Sequence, residues 1–390
     1  MKTAYFCGVD ISKDSFCIAI KNERFITKDT FFNMDKEGFE KFDAEVRDFK
    51  DNLLVGMEAT GIYHNNLFDF LQNRGYNSCI VNPYRMHQFF KFTNNKPTKT
   101  DKKDAKTICE FLEFKEREIE KSTNMMDSEK SRIRHFVREK ENITSEIAKT
   151  KTEIKRIVSL TFPEIENKIS LFSKEILYTL PKFPSADSIR KTTKGEFVKG
   201  VFNKGKGRNI KICMDEIYRL ALNSIAGHFP LYEELLKIKI KRLLHLEKER
   251  EDITEIIDKM GDRYFKREIE ILTSIPGIGR ASAIYFMAEI VDIKGFSGYR
   301  KLIGFCGLDP VIKQSGKYKG AFRISKRGNS HARRVMWIMA GCVKRSCPYF
   351  REYYLMKRDG GKSYKEAVIA VSTKLLRVIH ALLNENRTFK

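Results

Sequence analysis

The chain has 390 residues, of which 42% are hydrophobic and 32% charged, a composition that excludes wholesale disorder. Its 74 Lys and Arg exceed its 51 Asp and Glu and leave a formal charge of +23. An excess of this size indicates a polyanionic partner, most simply nucleic acid, with an acidic membrane surface as the alternative. No apolar run approaches the ~20 residues that a membrane span needs.

The compartment is predicted from the N-terminus and the cysteines. The first residues carry no recognisable signal peptide, so we expect a cytoplasmic protein without a membrane partner. Eight cysteines are scattered along the chain with no C-x-x-C pair. This spacing argues against a structural zinc site and a disulfide scaffold, and it favours buried thiols in a reducing compartment.

The first stretch, residues 1–120, alternates predicted strands and helices. β-rich apolar runs predict the strands, and apolar residues at helical spacing predict the helices. Three strands in succession, followed by alternating helices and strands, predict an α/β sheet of the ribonuclease-H kind. The predicted strands are Tyr5–Asp10, Ser15–Ile20, Arg24–Asn33, Leu53–Met57 and Asn77–Val81, and the predicted helices are Lys36–Phe49, Tyr63–Asn73 and Asp101–Phe114.

The second stretch, residues 121–265, is rich in Glu, Lys and Ile. Apolar residues recur at helical intervals over Ser128–Val158 and again over Leu235–Met260. The two segments predict long arms that pair as an antiparallel coiled coil, and the alternative is two helices of an ordinary bundle. Apolar stripes of this length cannot all be covered within one thin hairpin, so we expect the arms to mediate self-association.

The third stretch, residues 266–390, is predicted to be mainly helical and is strongly basic. It opens with a glycine turn between two helices at Ser274–Gly279. Such a turn lets backbone amides approach a phosphate, as in helix-hairpin-helix DNA-binding motifs. The alternative is a turn that only packs two helices together.

Four carboxylates of the first stretch are candidate metal ligands. Asp10 ends the first strand, Glu58 follows a buried strand, and Asp101 and Asp104 share one face at the start of a helix. Hard cations need several carboxylate oxygens from separate elements, and two such ions clamp the attacking and leaving oxygens of a phosphodiester. The alternatives are a turn former at Asp10, a surface acid at Glu58, and a helix cap at Asp101 with Asp104 three residues on.

Basic residues cluster in two places. Residues 85–106 carry seven Lys or Arg, and residues 311–335 carry eight with no acid. Ser315 stands beside Gly316 in the second cluster, so it is a candidate nucleophile among cations that would stabilise an attacked phosphate. The alternative is a turn residue, and Ser325 and Ser330 are rivals better suited to a helix cap and a phosphate contact. The candidate phosphate-binding residues are Lys313, Lys317, Lys319, Arg323, Lys326, Arg327, Arg333 and Arg334.

Taken in order, these motifs resemble the DEDD-type transposases of insertion sequence family 110, a group that includes the Piv-type DNA invertases. The resemblance covers both ends of the chain and is specific as an ordered set, whereas the middle stretch is similar only in character. The pieces that carry it are Gly8–Lys13, Met57–Tyr63, Val81–Pro83, Lys99–Ala105, Pro276–Gly279, Gly307–Pro310, Gln314–Gly316 and Ser325–Gly328.

The resemblance implies a RuvC-like N-terminal domain over 1–120, a coiled-coil region over 121–265 and a C-terminal transposase domain over 266–390. It implies that Asp10, Glu58, Asp101 and Asp104 bind Mg²⁺, and that Ser315 forms a covalent phosphoserine link to DNA. It further implies guidance by a structured bridge RNA that pairs with donor and target DNA. Dimers would assemble into tetramers in which one subunit's carboxylates meet another subunit's serine.

Three functions are compatible with these features of the sequence. The leading hypothesis is an RNA-guided DNA transposase or recombinase, associated with a prokaryotic nucleoid. The second is a RuvC-like resolvase or endonuclease that hydrolyses DNA with metal-activated water and needs no serine. The third is a non-catalytic nucleic-acid-binding protein, which the presence of all four carboxylates and Ser315 disfavours.

Overall fold

Segments from distant parts of the sequence form two compact units in this computed structural model. The first unit comprises residues 1–131, 290–328 and 373–387, and the second comprises residues 132–289, 329–372 and 388–390. The domain boundaries drawn at residues 120 and 265 remain predictions. The structure describes residues 5–22, 26–58, 63–81, 86, 89–90, 100–119, 128–166, 168–201, 208–311, 314–315, 318–319 and 323–390.

A five-stranded mixed sheet organises the first unit. Its strand order is β3-β2-β1-β4-β5. The first three strands are an antiparallel meander, while β1, β4 and β5 run parallel to one another. Every predicted strand is present, and the mixed α/β sheet is confirmed. The strands are β1 Tyr5–Ile11, β2 Ser15–Asn22, β3 Ile26–Asn33, β4 Leu53–Glu58 and β5 Asn77–Val81.

Helices cover both faces of this sheet, because successive side chains of a strand point to opposite sides. Odd-numbered residues of β1 and β4 pack with helices α1 (Lys36–Val46) and α2 (His64–Asn73). Even-numbered residues pack with helix α3 (Asp101–Ile119). Helix α1 ends earlier than predicted, since a 3-10 helix occupies Arg47–Asn52.

Two long helices dominate the second unit. Helix α4 spans 34 residues, Ser128–Thr161, and α9 spans 44 residues, Pro230–Thr273. They run antiparallel, with Lys151 Nζ 3.0 Å from Glu247 and Lys239 Nζ 2.6 Å from Glu153. Both helices share one apolar core with the short helices between them. Those are α5 Lys174–Thr179, α6 Ala186–Arg190, α7 Lys194–Gly200 and α8 Arg208–Leu222.

The third stretch is helical, as predicted, but it also contains four two-residue strands between residues 310 and 324. Among the described residues, no helix is long and apolar enough to cross a membrane. Of the seven cysteines whose side chains are described, six are buried and Cys342 is partly buried, which agrees with the expected thiols. The helices are α10 Arg280–Ile290, α11 Tyr299–Phe305, α12 Ser330–Ser346, α13 Pro348–Asp359 and α14 Tyr364–Asn384.

Candidate active site

Asp10 and Glu58 lie at the same end of two neighbouring parallel strands. Strands β1 and β4 pair in register up to Val9 opposite Met57, and each acid is the next residue along its strand. Both acids have the strand parity of residues that face α3, and both are half-buried. The pairing of two parallel strands therefore brings together two acids that are 48 positions apart in the chain.

Helix α3 packs directly on the backbone of β1. A Cβ atom on Gly8 would lie 2.2 Å from the carbonyl oxygen of Ala105 and 2.5 Å from the amide nitrogen of Cys109, so only glycine permits this approach. The Cys109 thiol donates a hydrogen bond of 2.9 Å to the carbonyl of Phe6. These contacts fix which turn of α3 lies over which residue of the strand.

Asp101 and Asp104 occupy the first turns of α3, just before the residue that covers Gly8. The helix runs opposite to β1, since Cys109 lies over Phe6 and Ala105 over Gly8. Its N-terminal carboxylates therefore lie toward the end of the strand that carries Asp10. Asp104 is half-buried, and Asp101 is exposed.

Thr100 provides the helix cap that could have explained Asp101. Its hydroxyl accepts a hydrogen bond of 3.4 Å from the backbone amide of Lys103, and its carbonyl accepts one of 2.9 Å from the amide of Asp104. Asp101 is instead the first residue of α3. The capping alternative for Asp101 is therefore wrong.

The four carboxylates offer hard oxygen donors from two strand ends and one helix, a donor set that suits a divalent cation. Within the described part of the chain, the only group of three or more ligand atoms within 4.8 Å of one another lies elsewhere. Like charges repel unless a cation compensates them. The backbone thus brings these residues to one end of the sheet, and a bound cation would have to draw their oxygens closer.

The group that meets this criterion is Asp187, His228 and Glu233, which could hold a metal ion. His228 Nδ1 lies 2.8 Å from Asp187 Oδ2, and the Lys191 ammonium lies 2.7 Å from the same oxygen. The buried Ser185 hydroxyl donates to Glu233. These contacts already join α6, the loop before α9 and the first turn of α9, so they also explain the group as a link between helices.

Ser315 ends a short strand in a β-hairpin. Strand β7 (Gln314–Ser315) pairs antiparallel with β8 (Tyr318–Lys319), and Ser315 is opposite Tyr318. Two residues, Gly316 and Lys317, connect the strands. The described backbone therefore places the serine at the end of a strand in a hairpin, and its role as a nucleophile remains a prediction.

A second strand pair lies outside this hairpin. Strand β6 (Pro310–Val311) pairs with β9 (Arg323–Ile324). The Ser325 hydroxyl donates a hydrogen bond of 2.6 Å to the Asp309 carboxylate, and the Ser325 amide donates one of 2.9 Å to the Asp309 carbonyl. Ser325 therefore closes the base of the strand pair. Its predicted role as a helix cap is wrong, because Asn329 caps α12.

The basic tract after β9 folds back on the turn before β6. A Cβ on Gly328 would lie 2.1 Å from the carbonyl of Phe305, which requires glycine at this position. The Lys326 amide donates to the carbonyl of Gly307, and Lys326 has a positive φ of 55°. Two motifs that are separate in the sequence, at 307–310 and 325–328, thus form one structure.

The predicted phosphate-binding residues differ in their surroundings. Arg323, Lys326 and Arg327 are exposed, and Arg333 is half-buried. Arg334 is exposed and lies 3.2 Å from the Glu141 carboxylate. Lys313 and Lys317 lie outside the described residues, and only the backbone of Lys319 is described. Their role as phosphate contacts remains a prediction.

Both ends of the chain match models of known transposase families. Residues 7–163 match a family model of DEDD transposases of the IS110 type. Residues 269–355 match the model of the transposase family IS116/IS110/IS902. The chain belongs to the IS110 family of transposases. Members of this family are transposases or site-specific recombinases, and the DEDD type suggests a divalent metal ion.

Individual relatives agree with this family. A 42 kDa protein of insertion element IS900 from Mycobacterium paratuberculosis is 27% identical over 56% of this chain and about half (54%) of its own length. A 43.6 kDa protein of insertion element IS110 from Streptomyces coelicolor is 22% identical over 75% of this chain and 72% of its own length. The pilin gene-inverting protein of Moraxella lacunata is 22% identical over 98% of this chain and 97% of its own length.

A buried acid that sequence reasoning missed lies in the second unit of this IS110-family chain. Glu289, at the end of α10, has an exposed fraction of 0%. Its carboxylate accepts two hydrogen bonds from the Arg138 guanidinium, at 3.0 and 2.9 Å. Arg134 donates to the Glu289 carbonyl at 2.9 Å. The available signal was a single acid near the end of a mostly apolar helix.

Glu289 also fixes the start of α12. The Asn329 side-chain amide donates a hydrogen bond of 2.6 Å to Glu289, while its oxygen accepts from the amides of His331 and Ala332. Burial would raise the pKa of the Glu289 carboxyl, but hydrogen bonds from Arg138 and Asn329 outweigh it and lower that pKa. The acid is therefore a charged structural link and not a proton donor.

Proposed function

We propose that this chain is an RNA-guided DNA transposase or recombinase that cuts and rejoins strands through a phosphoserine at Ser315. The observation that carries the proposal is the common position of Asp10 and Glu58 at the ends of paired parallel strands, on the face that α3 covers. The meander continued by two parallel strands also supports the RuvC-like assignment of the first domain.

Asp10, Glu58, Asp101 and Asp104 would hold Mg²⁺, two ions in the fullest form of the site. Bound Mg²⁺ would neutralise charge that develops on the phosphate oxygens. The carboxylates themselves would orient the ions from a rigid sheet and a helix packed on glycine. Their crowding would make metal binding and local stability mutually dependent.

Ser315 would be the nucleophile. Its oxygen would form a bond to phosphorus as the bond from phosphorus to one DNA oxygen breaks, and the serine proton would end on the displaced DNA hydroxyl. The reverse attack by a DNA hydroxyl would restore the serine. Because one phosphate ester replaces another, rejoining would need no ATP. Its place at the end of strand β7, opposite Tyr318 and within the basic segment 311–335, supports this role.

The cations of residues 311–335 would bind the phosphates next to the cleaved bond. Their contribution should make binding strongly dependent on salt, with a log–log slope of about −0.9 for each neutralised phosphate of duplex DNA. A nearly flat slope would argue against the whole proposal. The net charge of +23 would be neutralised by the phosphates of three nucleic acids: donor DNA, target DNA and a bridge RNA.

The long helices α4 and α9 would form the arm through which subunits pair into dimers and then tetramers. Helix α9 exposes Leu231 and Ile238, which are 87% and 62% exposed and lie seven residues apart on one helix face. A second copy is the occupant that the family resemblance favours. Replacing both with Lys should reduce the mass measured by light scattering, and an unchanged mass would put the interface elsewhere.

Adduct capture with Ser315→Ala tests the serine. The variant should bind DNA normally and yield neither a protein–DNA adduct nor recombinant product. Ser325→Ala is the matched control and should still form adduct, because Ser325 is engaged with Asp309. Normal cleavage by Ser315→Ala would identify water as the nucleophile and favour the resolvase alternative.

Mixing variants tests whether the site is shared between subunits. Ser315→Ala and Asp10→Ala should each be inactive alone, and their mixture should recover part of the activity if carboxylates and serine come from different subunits. Recovery of a single defined RNA with the purified protein would support guidance. Recovery of only random cellular fragments would count against it.

A further inference from the structure

Three half-exposed aromatic rings cluster on helices α12, α13 and α14 in the second unit. The centroids of Trp337 and Tyr364 are 6.3 Å apart, and those of Tyr354 and Tyr364 are also 6.3 Å apart. Trp337 is 37% exposed and Tyr364 is 49% exposed. Tertiary folding brings the rings together, since they come from three separate helices.

A lysine lies among these rings. The Lys344 ammonium is 4.4 Å from the centroid of Tyr354 and 4.9 Å from that of Tyr364. The cation stabilises the rings in this arrangement through cation–π attraction. We call Trp337, Lys344, Tyr354 and Tyr364 the aromatic platform.

The chain segment that carries the aromatic platform is strongly basic. Residues 330–366 contain nine Lys or Arg and three acids. A second copy of this surface would bring like charges together, which costs free energy on association. A polyanion with flat apolar groups would instead satisfy both the cations and the rings.

We propose that the aromatic platform binds unpaired nucleotides, with bases stacking on its partly exposed rings and phosphates meeting the cations of the same segment. Aromatic rings accept every base, so recognition would depend on single-strandedness and not on sequence. The proposal adds a binding surface to the proposed function. It rests on the proposed function only in assuming that the protein binds nucleic acid. It does not depend on the catalytic serine or on a metal ion.

Trp337 is the only tryptophan of the chain, so its fluorescence reports directly on the platform. Oligo(dT) added to the full-length protein should quench this fluorescence, whereas an abasic strand of equal length and charge should quench it far less. A parallel titration with oligo(U) shows whether the platform binds RNA or DNA more tightly. Equal quenching by the abasic strand would overturn the proposal.

Variants separate stacking from general electrostatics. Tyr364→Ala should weaken oligo(dT) binding by roughly 5- to 150-fold, equivalent to about 1–3 kcal/mol for one stacked base. Tyr364→Phe should bind nearly as the parent does. Tyr178→Ala is the matched control, since Tyr178 is 44% exposed and lies 4.2 Å below the Lys182 ammonium.

Binding is measured by the anisotropy of a labelled oligonucleotide at constant salt, with circular dichroism to verify folding. Equal affinities for Tyr364→Ala and Tyr178→Ala would overturn the proposal. If Tyr364→Ala changed the oligomeric mass of the protein but not its affinity for the oligonucleotide, the proposal would also be overturned, and the surface would be identified as a protein interface. The anisotropy measurement does not depend on adduct formation by Ser315. The proposal on the aromatic platform and the proposal on the catalytic serine can therefore fail independently.

Discussion

Asp10 lies on a strand whose backbone packs directly against α3, whereas Glu289 is held by hydrogen bonds from side chains around it. In the first case the decisive contact is at Gly8, where a Cβ would lie 2.2 Å from a carbonyl oxygen. In the second case Arg138 and Asn329 donate to a carboxylate with no exposed area.

Residue type alone therefore does not separate a site acid from a structural acid. Asp10, on a strand whose backbone packs against α3, is half-buried at the end of the central strand of the sheet. A carboxylate enclosed by guanidinium and amide groups has its oxygens occupied. Substitutions in the two regions should therefore damage different properties of the protein.

Asp10→Asn should have the largest effect on activity and a small effect on stability. If the acid is a metal ligand, strand exchange should fall by about 10²–10³-fold or more, the scale seen when transition-state charge loses a stabilising group. The melting temperature should barely change, since the substitution removes a like charge. Glu113→Gln, further along α3, is the control and should remain active. If the Asp10→Asn variant were active, the Asp10 carboxylate would not be part of the active site.

Glu289→Ala should have the opposite profile, with a large loss of stability. Removing one partner of a buried ion pair leaves the other charge uncompensated and costs about 3–5 kcal/mol. Urea denaturation of the parent and the variant gives this difference. Glu139→Ala, an exposed acid on α4, is the control and should lie within about 0.5 kcal/mol of the parent.

The loss of stability in Glu289→Ala should depend on pH. The pKa of Glu289 is lowered in the folded chain, so the ionised form stabilises folding. This contribution is fully present above the unfolded value of about 4.3 and is lost as pH falls through the lower folded value. The stability difference between parent and Glu289→Ala should therefore shrink in acid. A difference that grows below pH 4 would contradict the assignment.

Gly8→Ala should affect both properties at an intermediate level. The added methyl group would collide with backbone atoms of α3, which cannot rotate away, and we expect a loss of about 1–3 kcal/mol. Since α3 must shift, metal-dependent activity should fall with stability. Gly341→Ala is the matched control, because nothing lies within 4 Å of its added Cβ and alanine favours a helix. Gly341→Ala should not destabilise the protein.

Lys21→Met should have the smallest effect. Its ammonium lies 2.5 Å from the Glu113 carboxylate and joins β2 to α3, but both side chains remain partly exposed. A partly exposed pair contributes at most about 1 kcal/mol. Thermal unfolding at low and high salt tests this, because salt should reduce the difference between parent and variant. A larger loss would mean that this ion pair, and not the contact at Gly8, positions α3.

The amino-acid sequence alone determined the strands and helices of the first stretch, because apolar periodicity reflects one buried face per element. It also selected Asp10 and Glu58, since both stand at strand ends. The tertiary structure was needed to show that Ser325 joins Asp309 and that Glu289 meets arginines about 150 residues away. These contacts join residues from separate elements, and a local pattern carries no information about which distant group fills a pocket or completes a hydrogen bond.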